Sequence, residues 1–165
     1  MKDITIKQAQ EEDIPILEGI LLDTVNWLNE IGQPLWDYEE IRWANLSKQY
    51  QIGDFYIACR DGKPAGCMAL VDHDPFFWPD VAKGDALFIH KLASTKFARK
   101  SGVADALINF FKEQGKARDV KTLRLDTHAL RPRLRAFYER HGFEFIEVKV
   151  FGGDRHTAFY LYTLE

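Results

Sequence analysis

Residues 99–104 read Arg-Lys-Ser-Gly-Val-Ala, and an amphipathic helical pattern starts directly out of this stretch, over the 15 residues from Gly102 to Lys116. Glycine at position 102 allows the backbone to approach a ligand closely. The first amides of the following helix have no intrahelical acceptor, so a diphosphate can dock on them. The loop therefore predicts a binding site for a phosphorylated carrier molecule.

The charges around this loop support an anion site. Between residues 86 and 104 the chain has no Asp or Glu, although its formal net charge is -3. Four cations lie in the same stretch: Lys91, Lys96, Arg99 and Lys100. A solvated basic loop is the alternative interpretation, and the loop-then-helix context favours the anion site.

Length and composition predict one compact domain over residues 1–165, since 46% of the chain is hydrophobic. No apolar run approaches the roughly 18 residues that a membrane span needs, and the first residues lack the apolar segment of a signal peptide. We therefore expect a cytoplasmic protein without membrane attachment. The pI near 6.0 and the absence of a long basic stripe argue against nucleic acid as a partner.

The two cysteines do not predict a disulfide or a metal site. A two-residue turn at Asp61-Gly62 predicts a hairpin that places Cys59 and Cys67 on opposite faces of the sheet. The chain has no CxxC, HExxH or spaced Cys/His set, so we expect no bound metal.

Hydrophobic periodicity predicts the element order β-α-α-β-β-β-α-β-α-β-β and hence a mixed α/β sheet flanked by helices. The predicted strands are Ile4–Gln8, Phe55–Cys59, Ala65–Val71, Ala86–Ala93, Thr122–Thr127, Phe143–Phe151 and Thr157–Leu164. The predicted helices are Glu11–Ile31, Asp37–Tyr50, Gly102–Lys116 and a last one that begins at Pro132 and ends before Gly142.

Two segments resemble the GNAT superfamily of acyl-CoA-dependent N-acyltransferases. Arg99, Gly102 and Ala104 match the loop signature Q/R-x-x-G-x-G/A of that superfamily. Residues 136–143, Ala-Phe-Tyr-Glu-Arg-His-Gly-Phe, are similar to its L-Y-E-(K/R)-x-G-F segment, with Phe137 in place of the usual aliphatic residue. The resemblance covers essentially the whole chain. It implies a GNAT-like single domain with a mixed, mostly antiparallel sheet and about four helices.

The resemblance also implies acetyl-CoA as cosubstrate and where it binds. The backbone of the loop would hold the coenzyme A pyrophosphate, and the strand end before it would pair with the pantetheine arm as an added strand. The implied loop residues are Arg99, Lys100, Ser101, Gly102, Val103 and Ala104, and the implied strand residues are Leu92 and Ala93.

For chemistry, the resemblance implies acetyl transfer to a primary amine by direct attack in a ternary complex. Tyr138 corresponds to the tyrosine that faces the leaving thiolate in this family. Protonation of a thiolate by a phenol is uphill by about 2 kcal/mol, so a hydrogen bond that stabilises the thiolate is at least as plausible as full transfer. Packing in the core is the alternative role for Tyr138. His90 is the candidate general base, with Asp85 beside the same strand and His128 as the rival.

The aromatic residues before the signature strand predict the acceptor site. All four tryptophans precede residue 79, and Asp72, Asp74 and Asp80 lie nearby, so a cationic small-molecule amine is the expected acceptor. Trp36 and Trp78 are the candidate substrate-binding residues, whereas packing against the sheet is the favoured role for Trp27 and Trp43.

Two other functions remain open from the sequence. The chain can be a non-catalytic acyl-CoA-binding or sensor module, or an acetyltransferase that acts on a protein N-terminus or a lysine. The C-terminal strand is as consistent with a homodimer as with a monomer.

Overall fold

The computed structural model describes residues 3–165, and seven strands and four α-helices lie within this range. Their order confirms the predicted order β-α-α-β-β-β-α-β-α-β-β. The strands are β1 (Ile4–Gln8), β2 (Phe55–Arg60), β3 (Lys63–Val71), β4 (Ala86–Ser94), β5 (Thr122–His128), β6 (Glu144–Phe151) and β7 (Arg155–Thr163). The helices are α1 (Ile14–Glu30), α2 (Trp43–Leu46), α3 (Val103–Ala117) and α4 (Pro132–Arg140).

The strands belong to one mixed sheet with the order β1-β2-β3-β4-β5-β7-β6. β2 is antiparallel to β1 and to β3, and β7 is antiparallel to β5 and to β6. β4 and β5 are parallel, and their register joins Ala86–Phe88 to Thr122–Arg124. The predicted fold class, a mixed α/β sheet with flanking helices, is confirmed.

The chain forms two compact units. The first consists of the residues up to Leu70 together with His90–Phe110, and the second of Val71–Ile89 together with Phe111–Glu165. Strand β4 and helix α3 contribute residues to both. Within residues 3–165, no helix has the length and apolar character needed to cross a bilayer.

In the first unit, α1 buries the side chains on one face, which recur three and four residues apart: Leu17, Ile20, Leu21, Thr24 and Val25. Its first turn accepts Pro15, because an amide at that position needs no partner. The prediction that the helix begins at Glu11 was wrong. Residues Glu11–Asp13 form a 3-10 turn, in which the Asp13 carboxylate accepts a hydrogen bond from the Gln10 amide at 2.9 Å.

The predicted helix over Asp37–Tyr50 is reduced to the single turn of α2. Asp37 and Glu40 exchange hydrogen bonds, each carboxylate accepting from the amide of the other residue at 3.2 and 2.8 Å. The amide of Trp43 then donates to Glu18 of α1 at 2.7 Å. These polar contacts satisfy the backbone of the segment through side chains, so a continuous helix is not required.

The hairpin of β2 and β3 turns at Asp61 and Gly62, both with positive φ, as a two-residue turn requires. Cys59 pairs with Pro64. The prediction that the cysteines lie on opposite faces was wrong, because a bulge between Ala58 and Cys59 sets Cys67 opposite Ile57. Neither cysteine forms a disulfide.

In the second unit, α4 begins at Pro132, as predicted. Gly142 follows its end with a φ of 89°, a conformation that favours glycine. The core next to β4 is aromatic, and it consists of Trp78, Ala86, Phe88 and Phe159. This packing fixes the start of β4, from which the strand continues to the basic loop.

Candidate active site

One face of α1 holds the loop between β4 and α3. The Asp23 carboxylate accepts a hydrogen bond from the Lys96 amide at 2.7 Å, and Glu30 binds the Lys96 ammonium at 3.2 Å. Between them, the Thr24 hydroxyl lies 3.2 Å from the Ser94 carbonyl oxygen and donates to it. The Lys96 side chain is therefore directed to α1 and not into the loop.

The loop itself is fixed to the same helix through Arg99. The guanidinium carbon of Arg99 lies 3.2 Å from the ring centre of Trp27, which is a stacked cation–π contact. Burial against α1 lowers the pKa of Arg99 from its ordinary value, and guanidinium groups remain charged at neutral pH even so. The Trp27 ring is thus half-buried under the first residue of the signature.

Four backbone amides of the loop are available to an anion. Lys100 and Gly102 have φ angles of 57° and 90° on either side of Ser101, and helix α3 begins one residue later. Within residues 3–165, no hydrogen-bond acceptor is present for the amides of Lys100, Gly102, Val103 and Ala104. Donors arranged in this way at a helix N-terminus bind phosphate groups.

The other two amides of the loop are used internally. The Arg99 amide donates to the Lys96 carbonyl at 3.3 Å, and the Ser101 amide donates to the Ala98 carbonyl at 3.3 Å. The Ser101 hydroxyl donates to the same carbonyl. These bonds close the turn that precedes helix α3, so the backbones of Arg99 and Ser101 determine the shape of the loop.

Sequence reasoning missed Gly66 on β3, which brings the strand end and the loop helix together. A Cβ at this position would lie 2.7 Å from the Ala93 carbonyl oxygen and 2.9 Å from a Val103 methyl group. Only glycine allows so close an approach. A glycine inside a strand pattern was the one signal in the sequence that indicated it.

Strand β4 changes direction just before the residues that the family resemblance assigns to pantetheine. Lys91 has a φ of 54°, a left-handed conformation inside a strand, and Leu92 and Ala93 follow it. On the side of β3, the Cys67 thiol donates to the Lys91 carbonyl at 3.6 Å, and the Thr95 amide donates to the Ala65 carbonyl at 2.9 Å. The register with β5 ends earlier, at Phe88.

In the second unit, Tyr138 of α4 is 6% exposed, and its ring packs against Phe137, Phe143 and Tyr160. Burial raises the pKa of Tyr138 well above its usual value, and the charge of Asp126 on β5 raises this pKa further. The group is therefore a neutral phenol, which can donate a hydrogen bond.

The two candidate bases differ in their surroundings. His90 is half-buried on β4, with its ring 6.2 Å from that of Tyr50. His128 ends β5, and its Nδ1 accepts a hydrogen bond from the Leu130 amide at 3.2 Å. Burial lowers the pKa of His128, and the charges of Arg131 and Arg155 lower it further. With Nδ1 occupied and Nε2 protonated, neutral His128 has no free lone pair to act as a base.

The two candidate substrate tryptophans lie in different environments. Trp36 is half-buried in the first unit, and the Lys91 ammonium lies 5.2 Å from its ring centre. Trp78 is 9% exposed and packs against Phe88 and Phe159 in the core of the second unit. The substrate role of Trp78 stays a prediction, and the burial of its ring weighs against direct contact with a substrate.

Lys91 also lines a cavity of about 360 Å³ in the first unit. Its other lining residues are Asp37, Glu39, Glu40, Asn45, Leu46 and Gln49. Three carboxylates therefore surround one ammonium, and the cavity carries a net negative charge. None of these acidic residues was among the sequence candidates, since the sequence analysis predicted only a helix over Asp37–Tyr50.

The family is shown by comparison with known sequences. Residues 21–143, from α1 through the loop to the end of the turn after α4, match the sequence model of the Acetyltransferase (GNAT) family. The chain belongs to this family. The predicted recognition from the loop and the α4 segment is thereby confirmed, and family membership supports acetyl transfer as the activity of this GNAT protein.

Individual relatives agree with this assignment. The GNAT chain is 23% identical over 146 residues to an uncharacterized N-acetyltransferase of Bacillus subtilis (strain 168), YesJ, covering 84% of this chain and 80% of the relative. A GNAT-family acetyltransferase from Listeria monocytogenes has the same fold, with a TM-score of 0.78, 21% identity and coverage of 98% and 95%.

A second solved structure has a longer chain. It is N-acetylglutamate synthase from Neisseria gonorrhoeae in complex with coenzyme A and N-acetyl-glutamate, at a TM-score of 0.70 and 20% identity. The match covers 99% of the GNAT chain and 35% of the synthase chain. At this identity the likeness is one of fold.

Proposed function

We propose that this chain, residues 1–165, is a single acetyl-CoA-dependent N-acetyltransferase domain that transfers an acetyl group to the primary amine of a small molecule. The observation that carries the proposal is the set of four unsatisfied amides at Lys100, Gly102, Val103 and Ala104. A diphosphate supplies the oxygen acceptors that these amides need at a positive helix end.

Open space beside the loop supports coenzyme A pyrophosphate as its ligand. A Cβ on Gly102 would meet no atom within 4 Å, so the space beside the loop is open, and its φ of 90° is what requires glycine. Lys100 is exposed beside these amides and adds positive charge. The coenzyme A bound in the N-acetylglutamate synthase structure, which shares this fold, supports the same ligand for this chain.

The pantetheine arm would pair with Leu92 and Ala93. Left-handed Lys91 precedes them, and the register with β5 ends at Phe88, three residues before Lys91. The amides of pantetheine can then serve as an added strand along β4. This pairing would direct the thioester away from the loop and along the strand.

The acceptor would be a cationic amine of small size. The 360 Å³ cavity lies in the range of small-molecule sites, and three carboxylates, from Asp37, Glu39 and Glu40, outnumber the single ammonium of Lys91. Trp36, beside the Lys91 ammonium, offers an aromatic face to the cationic or apolar part of such an amine.

The chemistry needs a neutral amine and a stabilised leaving group. The amine nitrogen attacks the thioester carbonyl carbon, the C–S bond breaks, and the amine proton leaves through a base, for which His90 is the candidate through a water molecule. The raised pKa of Tyr138 makes full proton transfer to the thiolate more unfavourable than for an ordinary phenol. Tyr138 therefore stabilises the thiolate by donating a hydrogen bond, and solvent supplies the final proton.

Binding of acetyl-CoA is tested first, with a variant that keeps the helix. Ala104→Asp places a carboxylate at the helix N-terminus, where it is compatible with the helix dipole but repels a diphosphate. The control Asn109→Asp adds the same charge at an exposed site on the same helix.

Acetyl-CoA at 100 times its dissociation constant should raise the melting temperature of the wild type and of the control by about 5 to 10 °C. Addition of acetyl-CoA should not change the melting temperature of Ala104→Asp. No increase with the wild type would refute the cofactor assignment.

Turnover is tested by release of free coenzyme A thiol with a panel of small amines. Cationic amines should be accepted, and neutral or anionic amines of the same size should be poor substrates. If acetyl-CoA binds but no amine releases thiol, a panel of peptides with free N-termini or lysines follows. Release with peptides would indicate a protein acceptor, and no release with either panel would indicate a binding or sensor module.

A further inference from the structure

Strand β6 is an exposed apolar edge in the second unit. It is the last strand in the sheet order, and β7 is its one neighbour among the described strands. Four of its large apolar side chains are 42% to 51% exposed: Phe145, Ile146, Val148 and Val150. Edge strands of soluble proteins usually avoid such exposure, because unpaired backbone groups next to apolar side chains pair with other strands.

We infer that this edge pairs with the same edge of a second copy of the chain, antiparallel and about a two-fold axis at Val148. The inference goes beyond the proposed function and does not depend on it. Closed two-fold symmetry uses one surface patch twice, so the patch must be complementary to itself. The regular ladder of β6 on β7 runs from Glu147 to Phe151, and this part of the strand carries the argument.

The hydrogen-bonding pattern limits the registers of such a pair. In an antiparallel ladder, alternate residues direct their backbone groups to the same side, so a strand can pair with its own copy only when the axis passes through a residue. An axis at Glu147 sets two carboxylates opposite each other, and an axis at Lys149 sets two ammonium groups opposite each other. An axis at Val148 sets each Glu147 opposite the Lys149 of the other copy.

Both faces of the pair are then complementary. Glu147 and Lys149 lie on one face of β6, opposite Phe159 and Thr157 of β7, and Val148 lies on the other face, opposite Ala158. Two symmetric ion pairs therefore form on the first face. On the second face the two Val148 side chains meet, and the exposed Val150 of each copy extends the same apolar row. Charge and apolar surface both favour a second copy as the partner.

Charge exchange tests the register. The wild type should form dimers in analytical ultracentrifugation as its concentration rises. Glu147→Lys and Lys149→Glu each set like charges opposite each other, and each should weaken the dimer by about tenfold or more. The double variant Glu147→Lys/Lys149→Glu should restore wild-type dimerisation. A wild type that stays monomeric at every concentration overturns the inference, as does a double variant no better than the single ones.

Cross-linking tests the axis. Val148→Cys brings two thiols together at the axis, where opposed Cα atoms of an antiparallel pair lie about 4.5 to 5.5 Å apart, within disulfide range. Val150→Cys is the matched control, because its two copies lie about 13 Å apart along the strands. Under mild oxidation the first variant should form a covalent dimer. The control, and the wild type with its native Cys59 and Cys67, should not. Equal cross-linking of both variants contradicts the proposed axis.

Discussion

The guanidinium carbon of Arg99 lies 3.2 Å from the ring centre of Trp27, so the first residue of the loop 99–104 packs on the first helix of the fold. Asp23 and Glu30 lie on the same helix face and both bind Lys96. Their spacing of four and three residues from Trp27 places the three side chains in one row. Helix α1 therefore determines the position of a loop about 70 residues further along the chain.

We expect Trp27→Ala to weaken the binding of acetyl-CoA. A cation–π contact of an arginine that is only partly buried is worth about 0.5 to 1 kcal/mol, and its loss frees the loop from the helix. The dissociation constant for acetyl-CoA should rise by roughly 2- to 5-fold, which isothermal titration calorimetry measures directly. The melting temperature of the free protein should also fall.

Trp27→Phe is the control for this change. It keeps an aromatic face for Arg99 at lower strength, so its dissociation constant should lie between those of the wild type and Trp27→Ala. Wild-type affinity in Trp27→Ala would show that the stacked arginine does not position the loop.

Two glycines of the first unit should respond in opposite directions to alanine. A Cβ on Gly66 would lie 2.7 Å from the Ala93 carbonyl oxygen, whereas a Cβ on Gly19 in α1 would meet no atom within 4 Å. Gly66→Ala should cost about 1 to 3 kcal/mol, because a backbone atom cannot give way as a side chain can. Gly19→Ala should stabilise the helix by about 0.5 to 1 kcal/mol.

Thermal unfolding of the two variants measures this difference. At roughly 2 to 4 °C per kcal/mol for a chain of this size, the two melting temperatures should lie on opposite sides of the wild-type value. A Gly66→Ala protein as stable as the wild type would mean that β3 and the loop helix do not require this close approach.

The parts of the site that the sequence predicted are those encoded by neighbouring residues. The loop 99–104 is a short motif with its own turn and helix start, and α4 has Pro132 at its start and Gly142 after its end. Each of these signals depends on residues within a few positions of each other. Local chemistry was therefore enough to predict the loop, the order of the elements and the family.

The parts that the sequence did not predict depend on distant residues. The helical pattern over Asp37–Tyr50 gave no sign that Glu18 of α1 binds the Trp43 amide, which leaves one turn of helix and a cavity lined by carboxylates. The backbone of Lys91 is left-handed, and because the residue is not glycine, the sequence gives no signal of that conformation. Apolar periodicity predicts which side of a helix or strand is buried, but it does not predict which distant residue contacts it.

Acid should destabilise the protein partly through His128. Burial lowers the pKa of His128 in the folded state, so the unfolded chain binds the proton more readily. Stability from this group is complete above the unfolded pKa, near 6.5, and is lost as the pH falls below it. The urea midpoint should therefore fall between pH 7.5 and pH 5, and it should fall less in His128→Asn.

His128→Asn keeps an acceptor for the Leu130 amide, so the comparison isolates the charge. His73→Asn changes an exposed histidine and should follow the wild type over the same pH range. Identical pH dependence in His128→Asn and the wild type would refute the contribution of His128 to acid sensitivity.

Tyr138→Phe should separate chemistry from binding. The phenol is buried and protonated, so the variant removes one hydrogen-bond donor from a site that remains packed. We expect kcat to fall by about 10²- to 10³-fold, the loss typical of one preorganised donor, while the dissociation constant for acetyl-CoA changes little. Steady-state kinetics and calorimetry measure the two quantities.

Tyr160→Phe is the control, because the wild-type Tyr160 hydroxyl already donates to Glu139 at 2.6 Å and accepts from Arg135. Equal kcat in Tyr138→Phe and the wild type would exclude Tyr138 from the reaction, and an equal loss in Tyr160→Phe would indicate a packing effect.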